Sequence, residues 1–417
     1  MLYTTLNHVP SLITSIPPIY YILIITPFVL LYTTIPLQKT HPKGCRRLGL
    51  HPSKSNLHDE YNPKYNQGVP NNHIDETGQK SWRIKALFTY PIKSCAGVEL
   101  DQSDVVTTGL VYDREFCFAE YVTPSNVPDG EDSGRWDLRT LRDGRFCKLA
   151  LLRPEIWVPD PSATDYHPDL EEVKSGGVMI VYYPRVPNGV LEKLGISLGL
   201  ISPDYSFTIP LRPQNPDAFP SFPVKIWKDY PLAYDYGQCI PQSLRDFLQS
   251  PSQKRHLTLF RLNPSHTRQI YRNAPKEKDL GFQPETGFAD AYPIHLLNLS
   301  SVRDVAARCA KDIPNLSIRR FRPNFIIQGP GAFEEDRWKR ILLRPRNHPC
   351  EGEERNEGVE IHTVCRTVRC RLPNVDPDTG IRHPVEPDRT LKSYRRIDPG
   401  CVEFACLGMQ LVPNVRG

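Results

Sequence analysis

Prolines recur through the whole of this chain, at 42 of 417 positions, about twice the usual ~5%. Each one fixes φ and removes a backbone donor, so long uninterrupted helices are excluded almost wherever one falls. Short strands joined by turns are what such a chain can build, and a helix bundle is not. Its length allows two or three domains with a real core. The net charge of +5 is small, and basic and acidic residues are intermixed. Without a basic stripe carrying interleaved aromatics, nucleic acid is not an expected partner. The eleven cysteines are odd in number and scattered, which suits free thiols in a reducing compartment better than a disulfide framework.

Residues 1–38 contain no Asp, Glu, Lys or Arg, and residues 19–37 are nearly all apolar. At ~1.5 Å per residue that stretch almost matches a ~30 Å hydrocarbon core. Tyr20, Tyr21 and Tyr32 lie toward its ends, where aromatic rings suit the interface. Lys39, Lys43, Arg46 and Arg47 follow at once, which predicts a single-pass anchor with the bulk of the chain in the cytosol. A cleaved signal peptide fits less well, because the start lacks positive charge and no small-x-small site follows. Residues 39–80 are polar with few aliphatics, and the composition predicts a disordered linker.

Beyond the linker, apolar and aromatic runs predict strands at 82–90, 116–121, 146–152, 178–183, 224–227, 257–261, 325–328 and 359–364. A helix is expected at 241–249. A second should be capped by Ser300, because Val302, Val305, Ala306 and Cys309 fall at helical spacing. Residues 344–358 read as a charged, flexible insertion. The expected division is an anchor at 1–38, the linker at 39–80, and folded domains at 81–250 and 251–417.

Chemistry concentrates at strand ends. Cys370 stands between Arg369 and Arg371, whose charge favours a thiolate, the form that attacks or binds a soft metal. Asp376, Pro377, Asp378, Thr379 and Gly380 then make a tight turn: Pro presets φ, Asp bonds its own backbone, and Gly supplies positive φ. On local chemistry alone an inert packing thiol beside a surface turn is the better reading. Cys365 with Cys370, and Cys401 with Cys406, are each spaced C-x4-C, at the edge of structural zinc patterns. Lys93-Ser94, Asp113-Arg114 and Arg322-Pro323-Asn324 are further polar groups at strand ends. Cations and a hydroxyl together suit a phosphate, and Arg322 with Asn324 suit a polar heterocycle.

Tyr90-Pro91-Ile92-Lys93-Ser94-Cys95, Asp113-Arg114, Phe321-Arg322-Pro323-Asn324 and Arg369-Cys370 with Val375 to Gly380 occur in that order, followed by Glu386-Pro387 and Leu391 to Arg395. Over roughly residues 82–412 this closely resembles the MOSC-domain proteins that carry an N-terminal MOSC-type barrel, and within them the amidoxime-reducing component family. The resemblance implies a β-rich α+β fold, an N-terminal MOSC-type β-barrel followed by a MOSC β-barrel, here preceded by one transmembrane helix. It implies a molybdenum–molybdopterin cofactor whose metal is bound by Cys370. Lys93, Ser94 and Arg114 match residues that hold the cofactor's phosphate. Arg322 and Asn324 match residues lining pterin and metal, and Arg369 beside the cysteine is a further expected cofactor-binding residue. Asn324 and Cys370 would be the catalytic pair. The implied reaction is two-electron reduction of an N–OH group, fed by a cytochrome b5-type donor and its NADH-dependent flavin reductase, at the mitochondrial outer membrane facing the cytosol. The chain has no Gly-x-Gly-x-x-Gly fingerprint of its own, so external electron donors are the simpler reading.

The pattern also departs from the family. Val368 stands where the animal proteins carry Ser near the metal, and Ala291 falls where they carry Thr. The family continues after 412 into a further strand containing Val-Gly-Asp, so an exposed edge strand is expected here. A second reading is a carrier of the cofactor or of sulfur, as MOSC domains fused to cofactor sulfurases suggest. Pyridoxal phosphate, associated with such sulfurases, would need a partner, since no sulfurase domain of that type lies in this chain. A third is a structural zinc or plain interaction domain.

Overall fold

The computed structural model describes residues 41–123, 134–250, 254–344 and 358–415, together with Thr26 and Ser252. Apart from Thr26, the expected anchor lies outside the described residues, as does most of the 344–358 insertion. Among the described residues no helix is long and apolar enough to cross a membrane. The chain divides into two compact units, of which the larger comprises Pro42–Val186 and Asp204–Gly417. Residues 187–203 belong to the smaller. They contain a short helix, α1 (Val190–Ser197), whose Val190 and Leu191 are exposed.

The larger unit begins with β1 (Cys45–Arg47), β2 (Arg83–Thr89) and β3 (Val98–Leu100). Then come β4 (Phe116–Val122), β5 (Arg135–Leu138), β6 (Arg153–Pro159), β7 (Val178–Pro184) and β8 (Asp204–Pro210). The shorter β9 (Ser221–Lys225) and β10 (Leu232–Asp235) precede β11 (Leu257–Leu262). The second half supplies β12 (Ile294–Asn298), β13 (Phe325–Gln328), β14 (Arg340–Leu343), β15 (Val359–Arg369) and β16 (Ala405–Pro413).

These strands form three principal sheets. β9, β10, β11, β4 and β5 close a five-stranded barrel, sealed by the parallel pairing of β9 with β5. Every residue of β11 is buried, and its sequence is mainly apolar, with Thr258 and the Glu115-paired Arg261 as the polar members. β1, β6, β7 and β8 form an antiparallel sheet. The third sheet has the order β14-β15-β16-β12-β13-β2-β3. Only β12 and β13 pair in parallel there, and α2 (Leu299–Cys309) is the crossover between them. The C-terminal half is therefore, among the described residues, an open seven-stranded sheet completed by β2 and β3 from the N-terminal half. β16 lies inside it, flanked by β15 and β12. The expected exposed edge thus does not fall on the last described strand; the edges are β14 and β3.

Several expectations need correction. Residues 39–80 are not a disordered linker over their described part: β1 joins a sheet, and Leu57 and Tyr65 pack in the core around α2. Buried Glu60 accepts from Ser317 Oγ at 2.8 Å and from Ile318 N at 2.9 Å. A few aliphatics suffice because the segment borrows a core built by the rest of the chain. Residues 146–152 are not a strand but part of the 3-10 helix Gly144–Leu151, with Asp143 accepting from Arg145 N. A short apolar run does not distinguish the two by pattern alone. The cap of α2 is Asn298, whose side chain accepts from Ser300 N at 3.3 Å; its extended backbone at the end of β12 puts a short amide over the first turn. β15 continues beyond 364 to Arg369 because two register shifts against β16 let it bend without ending.

Candidate functional site

The loop after β2 is pinned along the start of β4. Arg114 N donates to Tyr90 O at 2.8 Å, Phe116 N to Pro91 O at 3.0 Å and Lys93 N to Phe116 O at 2.8 Å. This brings Lys93, Ser94 and Arg114 together although they lie some twenty residues apart. Arg322 ends the 3-10 helix Ile318–Phe321 in left-handed backbone, and Asn324 leads into β13. Asn324 is fully buried and is the knot of the site. Its Oδ1 accepts from Arg114 Nη1 at 3.0 Å and from His295 N at 3.1 Å. Its Nδ2 donates to Phe88 O at 3.1 Å and to Asp113 Oδ1 at 3.0 Å. An amide offers two donors and two acceptor sites, so none is left for a ligand.

Two guanidinium groups lie against the Tyr90 ring, Arg322 at 4.3 Å and Arg114 at 4.8 Å from its centroid. Burial pushes the Tyr90 hydroxyl up to about 12, against the pull of both arginines. Arg322 also donates to Cys95 O, and burial lowers its guanidinium to about 10, with the charge of Arg114 acting in the same direction. Its Nη2 is buried without a hydrogen-bond partner. Lys93 Nζ donates to Phe288 O at 2.6 Å and to Asp290 Oδ1 at 2.8 Å. Burial lowers the Lys93 ammonium, partly offset by Asp290. Ser94 Oγ accepts from Leu141 N at 3.2 Å.

Cys370 follows the last residue of β15 and is half-buried. The Asp376 turn forms as expected: Asp376 Oδ1 accepts from Asp378 N and Thr379 N, and Gly380 takes φ +67°. The turn does not line the cleft. It is a strut, with Asp376 accepting from Arg320 Nη2 at 2.5 Å and Asp378 pairing with Arg319, which ties the Cys370 segment to the Arg322 segment. Arg369 is turned inward. It donates to Leu407 O and Phe321 O, and to His295 Nε2 at 2.5 Å. A guanidinium can only donate, so Nε2 is the acceptor. Burial and then Arg369 hold His295 well below its ordinary value, and it is neutral. Arg371 lies 3.6 Å from Asp388.

Lys93, Ser94, Arg114, Arg322, Asn324, Arg369 and Cys370 all border one cleft of about 990 Å³. His295, Asp290, Arg142, Thr367 and Trp227 border it too and escaped the sequence reading. Asp290 lies in a Gly-Phe-Ala-Asp run with the look of an ordinary turn, and His295 sits inside a strand; neither position carries a local signal. Five of the seven described non-glycine residues at positive φ (Ser94, Arg114, Trp227, Asn273 and Arg322) line this cleft. Such backbone is costly outside glycine and clusters where function over-determines it. Among the described residues no group of three or more His, Cys, Asp or Glu converges as a metal site, so Cys365, Cys370, Cys401 and Cys406 do not assemble one.

The geometry suits an anion bearing a thiophilic metal. Cations outnumber carboxylates along the cleft, buried donors on Arg322, Arg142 and Thr367 lack partners, and three cysteines, Cys365, Cys370 and Cys401, line the same space. Sequence comparison agrees. The MOSC N-terminal beta barrel domain matches residues 81–127 and the MOSC domain residues 283–405. The mouse mitochondrial amidoxime-reducing component 1 is 32% identical over 321 residues, 77% of this chain and 74% of that protein. The chain belongs to the amidoxime-reducing component family of MOSC proteins. Rat mitochondrial amidoxime reducing component 2 is 40% identical, but over 115 residues, 28% of this chain and only 29% of the rat protein. The molybdenum cofactor sulfurase of rice (Oryza sativa subsp. japonica) is 24% identical across 78% of this chain and 32% of its own length. These relatives make the family one of molybdenum-cofactor-related proteins, with enzymes of the oxidoreductase type among them.

Proposed function

We propose that this chain is a molybdenum-cofactor oxidoreductase that reduces N-hydroxylated compounds. The observation that carries the reading is the Cys370 thiol sharing one cleft with buried cations, among them an Arg322 Nη2 that has no partner within the protein. Lys93, Ser94, Arg114 and Arg322 would hold the phosphate and pterin of the cofactor, and Cys370 its metal. When bound, the cofactor supplies two electrons, which with two protons convert an N–OH group to N–H and water.

The chain's own contribution is binding and orientation. Arg322 Nη2 offers a charge-assisted bond to an anion, stronger than a neutral one. Asp290, held at about 2 chiefly by the charge of Lys93, bonds the Lys93 ammonium at the cleft wall. Asn324 acts through others: it aims Arg114 and joins Phe88 to His295, so its role is positioning. Arg369 likewise braces β15 against Leu407 and Phe321, which sets where Cys370 emerges. Val368, exposed at the cleft, offers a substrate an apolar surface where a Ser would offer a hydroxyl.

The remaining parts of the reading are electron supply from a cytochrome b5-type protein with its NADH-dependent flavin reductase, and anchoring by residues 19–37 at the mitochondrial outer membrane. The word mitochondrial in the names of the mouse and rat relatives supports the organelle, the apolar N-terminal sequence supports the anchor, and the electron donors rest on the resemblance of the motifs. A carrier of cofactor or sulfur is the second reading, favoured by the likeness to the rice sulfurase across most of this chain. Metal and pterin analysis of the purified protein, followed by benzamidoxime reduction with a reconstituted NADH chain, tests both. Molybdenum with turnover supports the enzyme, molybdenum without turnover the carrier, and zinc alone sinks both.

A further inference from the structure

Trp227 is carried on the tight turn between β9 and β10, closed by Ile226 N to Asp229 O at 2.9 Å and Asp229 N to Ile226 O at 3.0 Å. It takes φ +57° and is 52% exposed, yet borders the same cleft as Cys370. A glycine or asparagine would accept that backbone readily, whereas a Cβ-bearing residue does so at a cost. An indole half in water adds a second unfavourable term. Nothing in the turn itself asks for tryptophan.

The surroundings hold both the ring and the turn that carries it. The Arg142 guanidinium lies 4.2 Å from its centroid. Arg142 also reaches toward Asp290, at 3.9 Å, and the other oxygen of that carboxylate takes the Lys93 ammonium. Arg268 holds the turn rather than the ring: it bonds Asp229 Oδ2 at 2.7 Å, Ala289 O at 2.8 Å and Gly287 O at 3.2 Å. The turn is thus braced against the 287–290 segment that positions Lys93. Lys93 is buried and suits a cofactor's anionic group; the half-exposed ring lies on the open side, where a substrate arrives.

We infer that Trp227 is a specificity-determining residue, an aromatic shelf at the cleft mouth on which the flat, conjugated part of an N-hydroxylated substrate stacks. The inference rests on reading the cleft as a reductase of N-hydroxylated compounds, and it adds the substrate class: aryl and heteroaryl amidoximes over saturated ones of equal size. Such a shelf contributes ring stacking beyond simple burial. Saturated rings gain the burial but not the stacking.

The test uses the cofactor-loaded protein with reduced methyl viologen as electron donor, so that no protein partner intervenes. Benzamidoxime and cyclohexanecarboxamidoxime are compared on wild type, Trp227→Gly and Trp227→Phe. Glycine accepts the positive φ, so the turn survives. The kcat/KM ratio of benzamidoxime to the saturated analogue should fall about fivefold in Trp227→Gly, through KM, and Trp227→Phe should restore most of it. An unchanged ratio overturns the inference. So does a loss of bound molybdenum and pterin from Trp227→Gly, which would put the ring against the cofactor. If wild type reduces neither compound, the reductase reading fails, and calorimetric titration with benzamidoxime still decides the shelf. Binding weakened by Trp227→Gly keeps it, and equal or absent binding removes it.

Discussion

Asn324 and Arg322 stand two residues apart on the same connection into β13, and their polar groups meet opposite ends. Asn324 spends all four of its hydrogen bonds inside the protein, on Arg114, His295, Phe88 and Asp113. Arg322 keeps a buried Nη2 with no partner in a left-handed backbone. A saturated buried amide is scaffold, because removing it strands every partner. An unsatisfied buried donor is destabilising by itself, and on a residue that lines a cleft a ligand that completed it would account for its presence. On the proposed function the site would have a floor for rigidity and a wall for occupancy, although sequence patterns class the two residues together.

Substitutions that separate loading from folding put this contrast at risk. The largest effect is expected for Cys370→Ser, which should lose bound molybdenum and reductase activity while Cys365→Ser keeps most of both; metal analysis of the two proteins side by side decides it, and an inactive Cys365→Ser would move the ligand. Asn324→Ala should lower stability by about 4 kcal/mol, since several buried partners lose their bonds at once, read as the shift in denaturant midpoint. Arg322→Ala should do the reverse, costing roughly 1 kcal/mol of stability but about tenfold or more in cofactor affinity. If Arg322→Ala unfolded the protein while Asn324→Ala only emptied it, floor and wall would be exchanged.

The smallest effect probes the packing behind the floor. Burial raises the Glu335 carboxyl to about 7, where it accepts from Ser301 Oγ at 2.7 Å and Asn298 Nδ2 at 3.1 Å. The folded state keeps this proton up to about pH 7, while the unfolded chain releases it near ~4.3. The contribution to stability is therefore full below that lower value and is lost as pH rises through 7, by up to about 3 kcal/mol. Thermal unfolding between pH 5.5 and 8.5 should show a fall in wild type that Glu335→Gln flattens. Parallel curves would show that Glu335 ionises freely.

Much of the architecture was legible because strands announce themselves by composition. The aromatic and aliphatic run before Tyr90, the largely apolar β11 and the helical spacing of Val302, Val305, Ala306 and Cys309 all became the expected elements. The 146–152 run became a 3-10 helix because apolar content without a clear period leaves helix and strand equally open. Residues 39–80 looked too poor in aliphatics to fold, which holds only for a segment that must make its own core. Leu57, Tyr65 and Glu60 dock instead on surfaces that lie more than two hundred residues away in sequence. The Asp376 turn was read correctly as a turn, yet its carboxylates proved to be struts, a distinction set by Arg319 and Arg320 alone.

By itself the sequence determined the β-rich character, since prolines forbid long helices, the order of the motifs, and the thiol and cations that belong to one chemistry. Only the tertiary structure decided what each of those groups does. Hydrogen-bond saturation depends on partners brought from distant strands, so it sets Asn324 and Arg369, bonded inside the protein, apart from Arg322, whose buried Nη2 has no partner. The same long-range packing brought Asp290, His295, Arg142 and Trp227 to the cleft, positions that carry no local pattern because their meaning lies in what they face.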